Sequence, residues 1–404
     1  MVGACAARRG PRAQSAERRA PRLWAGRAMR AAGLGLAWLW AAACLPEQRP
    51  VVSNATCDGT ACVCEPPFDD CDADPRNGCE TDLRLDPQNC GTCGRDCLGG
   101  NCNAGRCEPF LLTPPVFSVG GIDAQGDDVY FCEPLAGVIA RVAKQTGTLE
   151  ILETDQNCSA ELTLGADQVF WTDVVQNEYR DILYRAPQSG GPPEFITTEA
   201  YIHSLSASGD TVAWIDQESD AGYVQVWSPS AAEPITLYSQ QGNEQMKCVA
   251  VSGQQVTWAV STWGNLVSSS RVLQATLPDG PVRQLAISAG YVITNLRAVG
   301  SEFYWTEADD TADSLTVSEP YRMMRLRAPG ESPEKLWTGV TNIQGMTADH
   351  GGLYWGAGAG IYSWTVAAAQ TQQIANNQEA EQMATGTTVL FWYDDPGKIM
   401  ALAK

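Results

Sequence analysis

At 404 residues, with 27 basic and 47 acidic side chains, the chain has room for more than one domain and a formal net charge of −20. Residues 1–43 hold eight arginines and one acidic residue, so the remaining 19 basic and 46 acidic residues net −27. A surface that acidic repels phosphate backbones and anionic membranes, which excludes nucleic acid as an expected partner and leaves the membrane approachable only through an anchor.

The first element is a targeting segment. Residues 31–43 read Ala-Ala-Gly-Leu-Gly-Leu-Ala-Trp-Leu-Trp-Ala-Ala-Ala, with Arg27 and Arg30 ahead of them. Thirteen apolar residues are too few to span about 30 Å of hydrocarbon as a helix, but they match the apolar core of a signal peptide. Met29 is a candidate true start, and the Arg/Ala/Pro-rich residues before it read as a disordered extension. Cys44 follows Ala41-Ala42-Ala43, and small residues ahead of a cysteine resemble the lipobox of bacterial lipoproteins. The resemblance implies acylation of Cys44; the alternative is cleavage at the same alanine run by an ordinary signal peptidase. Residues 44–56 then form a polar tether.

Ten of fifteen cysteines fall in the next segment, 57–108: Cys57, Cys62, Cys64, Cys71, Cys79, Cys90, Cys93, Cys97, Cys102 and Cys107. Few aliphatic residues accompany them, so the segment lacks an oily core of its own. An even count in an exported segment reads as a disulfide framework whose pairing spacing does not settle. The zinc alternative rests on one CxxC, Cys90 to Cys93, with Cys97. Asp70, Asp72 and Asp74 are calcium candidates, because alternating carboxylates offer hard oxygens. Pro75 and Thr81 stand where an EF-hand needs Gly and Glu, so that motif is excluded. The run Asn89-Cys90-Gly91-Thr92-Cys93-Gly94-Arg95-Asp96-Cys97 resembles the Stig1-type cysteine domain and a module of secreted soil-bacterial proteins. The resemblance implies an extracellular, disulfide-bonded module with an adhesive or spacing role.

Residues 109–404 repeat. Short strand-like segments of four residues recur with Phe131, Trp171, Trp214, Trp258, Trp305, Trp355 and Trp392 as their third, anchor residue, at steps of 40, 43, 44, 47, 50 and 37 residues. A period of about 40–45 residues with one aromatic strand per unit is the signature of a β-propeller. Within a unit, apolar runs such as Val169-Phe170-Trp171-Thr172, Ile182-Leu183-Tyr184 and Glu194-Phe195-Ile196 alternate with Gly, Asp and Pro, where turns need them. Seven anchors predict seven blades. The last unit lacks a fourth strand, and Phe110-Leu111-Leu112-Thr113 matches one, so the N-terminal strand is expected to close the ring. Phe170-Trp171-Thr172-Asp173 and Tyr304-Trp305-Thr306-Glu307 resemble the YWTD propellers of lipoprotein-receptor ectodomains and the related NHL-type propellers. Those families often close at six blades, which is the alternative count. The resemblance implies ligand binding on the faces of the disc.

The chemistry-bearing residues are few. His203 and His350 are the only histidines, the first in an apolar run and the second in a turn, and both read as structural or solvent-facing. No nucleophile elbow, zincin helix or P-loop occurs. Cys132 and Cys158 flank a step between units and are expected to pair, leaving Cys248 as a buried thiol. The expected function is that of an exported protein, lipid-anchored at the outer membrane or cell surface or else secreted, monomeric, with a propeller that binds protein or glycan. No cofactor is expected apart from calcium. The enzyme alternative is a lactonase-like hydrolase or a lyase with a divalent cation in the central channel. Its candidate carboxylates, Asp123, Glu161 and Glu244, stand at unequal offsets in their units, so the chain is expected not to be an enzyme. A purely structural envelope spacer is the third reading, and Asp309 to Ser314 is an acidic insertion within one unit.

Overall fold

The computed structural model describes residues 55–404 other than 58–61, 75–77, 114–115, 117, 145, 176–179, 200, 219–220, 263–267, 310–319 and 395–396. The apolar run, Cys44 and most of the acidic insertion lie outside the described residues.

Twenty-eight strands form seven four-stranded antiparallel sheets, each running from an innermost strand at the axis to an outermost strand at the rim. The innermost strands are Ile122–Gln125, Cys158–Leu164, Ile202–Ser208, Glu244–Ser252, Tyr291–Val299, Ile343–Asp349 and Gln382–Thr385, defining blades 1 to 7. The seven-bladed expectation holds and the six-bladed alternative falls. Blade 7 takes three strands from the C-terminus and its outermost from Phe110–Leu111, with Leu111 opposite Met400 and Phe110 opposite Ala401. The ring therefore closes by pairing the two ends of the repeat region.

Each anchor sits on the second strand of its blade. Phe131, Trp171, Trp214, Trp258, Trp305, Trp355 and Trp392 are all at most 1% exposed. These second strands are buried at successive positions because a neighbouring blade covers each face. An aromatic ring burying about 150–250 Å² contributes roughly 4–6 kcal/mol at ~25 cal/mol per Å². The indole N–H of Trp305 donates to Glu307 Oε1 at 2.8 Å. The acidic residue two places after the anchor thus satisfies that anchor's own polar atom.

Four disulfides link the described part of the cysteine-rich segment: Cys64–Cys79, Cys71–Cys93, Cys90–Cys102 and Cys97–Cys107. Cys57 and Cys62 face each other as backbone partners across a two-stranded ladder; their side chains lie outside the described residues. Buried Cys90, Cys97, Cys102 and Cys107 share one cluster with Tyr354, Ile361, Trp392 and Met400 of blades 6 and 7. The missing oily core is thus supplied by the propeller. A fifth disulfide, Cys132–Cys158, joins blade 1 to blade 2. Cys248 is free and buried, and that burial pushes its thiol up to about 12.

Candidate functional site: the axial channel

The innermost strands enclose a cavity of about 630 Å³ on the axis, lined by all seven blades. Its geometry follows from the register. In every blade, one innermost residue pairs with the residue just before the anchor: Asp123 with Tyr130, Thr163 with Phe170, Ser206 with Ala213, Ala250 with Thr257, Arg297 with Tyr304, Thr347 with Tyr354 and Ala384 with Phe391. These residues stand at one level of the ring, and all but the buried Ala384 line the cavity. Strand side chains alternate, so the neighbouring Ile122, Leu162, Val249, Leu296, Met346 and Met383 turn into the core between blades.

Blades 2 to 6 carry an irregularity in the innermost strand just before this ring. An extra residue there re-aims side chains. Glu161, Ser204, Lys247, Thr294 and Gln344 occupy the irregular stretches and line the cavity. Lys247 Nζ donates to Gln245 Oε1 at 3.0 Å. Burial among the blades holds His203 below its ordinary value, with Lys247 adding to the effect.

The carboxylates proposed for catalysis have defined partners. Asp123 Oδ2 accepts from Leu164 N–H at 2.9 Å and from the Thr163 hydroxyl at 3.2 Å, while its Oδ1 accepts from Ala124 N–H at 2.8 Å. Glu161 accepts from Ser204 and Leu205 N–H, both at 3.1 Å. Each carboxylate therefore binds the backbone of the next blade. The same stitch continues with hydroxyls: Val249 N–H donates to Ser204 Oγ at 2.8 Å, and Val251 N–H to Ser206 Oγ at 3.0 Å. Thr385 Oγ1 donates to Asp349 Oδ2 at 2.9 Å, tying blade 7 to blade 6. Thr388 N–H donates to Asp127 Oδ1 at 2.8 Å, tying blade 7 to blade 1.

Burial pushes both Asp123 and Glu161 up, against their backbone donors and the guanidinium of Arg297, which pull them down. Arg297 itself is exposed to the channel. Among the described residues its direct hydrogen bond runs from Nη1 to the Leu296 carbonyl at 3.0 Å. Glu244, the third candidate, does not line the cavity. It is buried at the start of its strand, accepting from Tyr238 Oη at 2.8 Å and Gln241 N–H at 3.1 Å and pairing with Arg271. The channel thus brings Asp123 and Glu161 together and leaves Glu244 out.

Arg297 was not singled out from the sequence, yet a signal for it exists. Each member of the ring stands eight residues before its anchor, so a fixed offset picks out Asp123 and Arg297 alike. In the cysteine-rich segment, Asp70, Asp72 and Glu80 bring carboxylate oxygens within 4.8 Å of one another. Asp74 instead offers its backbone N–H to Asp72 Oδ1 at 2.9 Å. Partial burial and then the charges of Glu80 and Asp72 push the Asp70 carboxyl up.

No family model and no curated protein matches the chain. Solved structures do. The β-propeller domain of the Trilobed protease from Pyrococcus furiosus, with an open velcro topology, aligns at a TM-score of 0.54 and 8% identity, over 70% of this chain and 94% of that one. Hydrazine synthase from Kuenenia stuttgartiensis aligns at 0.54 and 10%, over 72% and 97%. YCF48 from Cyanidioschyzon merolae aligns at 0.52 and 10%, over 74% and 99%. The expectation that the chain is not an enzyme is corrected here: propellers of this shape occur in a protease and a synthase, so the fold decides neither way. Similarity at this level shows the fold, and the chain is a β-propeller.

Proposed function

We propose that the protein is an exported, lipid-anchored binding scaffold whose propeller docks a protein partner. The observation that carries this reading is the apolar rim of blades 1 to 4. Their outermost strands, Thr148–Glu153, Glu194–Glu199, Ile235–Ser239 and Arg283–Ala289, expose Leu149, Ile151, Phe195, Ile235 and Ile287, with Phe195 and Ile287 more than 60% exposed. Exposed apolar side chains on the rim strands of four successive blades offer an acidic protein a surface for a partner. The disulfides suit an oxidising compartment. Among the described residues no helix is long and apolar enough to cross a membrane; acylation of Cys44 would supply the attachment.

The test is saturable binding of the purified protein to intact envelopes. Phe195→Asp with Ile287→Asp is expected to weaken it at least tenfold, and protease treatment of the envelopes to abolish it. Binding that survives protease but not periodate would move the reading to a glycan, and no saturable binding would remove it. Palmitate labelling of wild type but not of Cys44→Ser is the expected result for the anchor.

A further inference from the structure

The channel holds a charge arrangement that the inter-blade stitches do not use up. In a ring of seven, blade 5 lies three steps from both blade 1 and blade 2. Arg297 therefore projects from the wall opposite Asp123 and Glu161. Its charge acts on both carboxyls and on the buried Cys248 beside it. It nevertheless closes no ion pair with them, its direct bond being to the Leu296 carbonyl. A cation thus stands on one wall of the cavity and two carboxyl groups on the other, separated by open space.

The lone pairs identify which carboxyl is available. A carboxylate offers about four acceptor sites. Asp123 has three occupied, by Ala124, Leu164 and Thr163. Glu161 has two occupied, by Ser204 and Leu205, and so retains accepting capacity toward the channel. The guanidinium has four N–H groups left after the Leu296 bond, in a fork that fits a carboxylate bidentately. The cavity lining is polar and, apart from His203, has no ring on which a sugar face would stack.

We propose that the axial channel is a binding site for a small zwitterion, an α-amino acid, whose carboxylate seats on Arg297 and whose ammonium faces Glu161 and Asp123. A simple anion satisfies Arg297 but adds repulsion against two carboxyls. A simple cation has the reverse defect. A molecule carrying both charges meets Arg297 and the two carboxyls at once, while Lys247 and Asp349, also in the lining, are held by Gln245 and by Lys404, and Asn295 and Gln344 offer polar groups to the rest of it. The site lies inside the disc and stands whether or not a partner docks on the rim.

Isothermal titration calorimetry on the full chain decides this. The probes are the twenty standard amino acids, acetate, methylammonium and inorganic phosphate. At least one amino acid is expected to bind, with acetate, methylammonium and phosphate each at least tenfold weaker. Arg297→Gln is expected to lose at least tenfold in affinity and Arg297→Lys less, while both keep the wild-type melting temperature, since Arg297 makes no inter-blade bond. Glu161→Gln is expected to weaken the amino acid but not acetate. If that variant unfolds because its stitch is lost, Arg297→Gln carries the decision. Acetate or phosphate binding as tightly as any amino acid would overturn the proposal, as would wild-type affinity in Arg297→Gln or no heat from any amino acid.

Discussion

Trp305 and Trp214 occupy matching places in their blades but differ in one atom's surroundings. Trp305 Nε1 donates to Glu307, whereas the buried indole nitrogen of Trp214 has no protein partner. Replacement by Phe removes a similar area in both cases. At position 305 it also strips a donor from Glu307, which is 1% exposed. Trp305→Phe should therefore cost about 1 kcal/mol more than Trp214→Phe in urea unfolding, the net worth of one hydrogen bond, since the Ser288 hydroxyl still donates to the same Glu307 oxygen. Equal midpoints would show that the Trp305–Glu307 bond is energetically idle. Glu161 offers a pH test. Burial raises its carboxyl above the ordinary value of 4.5, so the folded chain holds this proton more tightly than the unfolded chain does. That contribution to stability is present at low pH and is lost as pH rises through the raised value. Glu161→Gln should flatten this part of the profile, read as melting temperature from pH 4 to pH 7. An unchanged slope would mean that Glu161 does not titrate differently on folding.

At the scale of elements, blades hold together through contacts that local sequence does not specify. Gly121, just ahead of the innermost strand of blade 1, lies against blade 2: a Cβ there would sit 2.6 Å from Leu162 N. Gly121→Ala forces the two strands apart and should destabilise by about 1–3 kcal/mol, as overpacking does. The same pair of blades is cross-linked by Cys132–Cys158 across a separation of 26 residues. Replacing both cysteines with serine should cost about 3–4 kcal/mol, read as a denaturant midpoint, if loop closure in the unfolded chain dominates. A loss under about 1 kcal/mol would show that the stitches from Leu164 to Asp123 already hold that seam.

For the whole molecule, closure rests on a short seam. Phe110–Leu111 covers the last C-terminal strand, Lys398–Ala403, with two residue pairs. Phe110 also packs its ring against Gly99, 3.2 Å from where a Cβ would lie, so the cysteine-rich segment and the closing strand support each other. Deleting residues through 113 should open blade 7, lower the melting temperature and expose an unpaired edge, giving concentration-dependent oligomers in size-exclusion chromatography. A monomer with an unchanged melting point would show that the ring closes without this strand.

The period, the anchors and the closing strand were legible in the sequence because each rests on a local pattern. A covered strand must be apolar at successive positions, and its aromatic residue recurs once per blade. The disulfide pairing was not legible, because cysteine spacing is compatible with many connections and the choice depends on which loops meet over blades 6 and 7. Nor was the channel fully legible. Asp123, Glu161 and Glu244 could be named as candidate carboxylates at unequal offsets, but local pattern did not tell which of them reach the channel, and Glu244 is buried with Arg271 instead. What brings Arg297 to face Glu161 is the seven-fold closure, which sets residues 136 positions apart on opposite walls of one cavity. Periodic burial is a property of each segment and can be read along the chain; a charge pair across an axis exists only once the ring is closed.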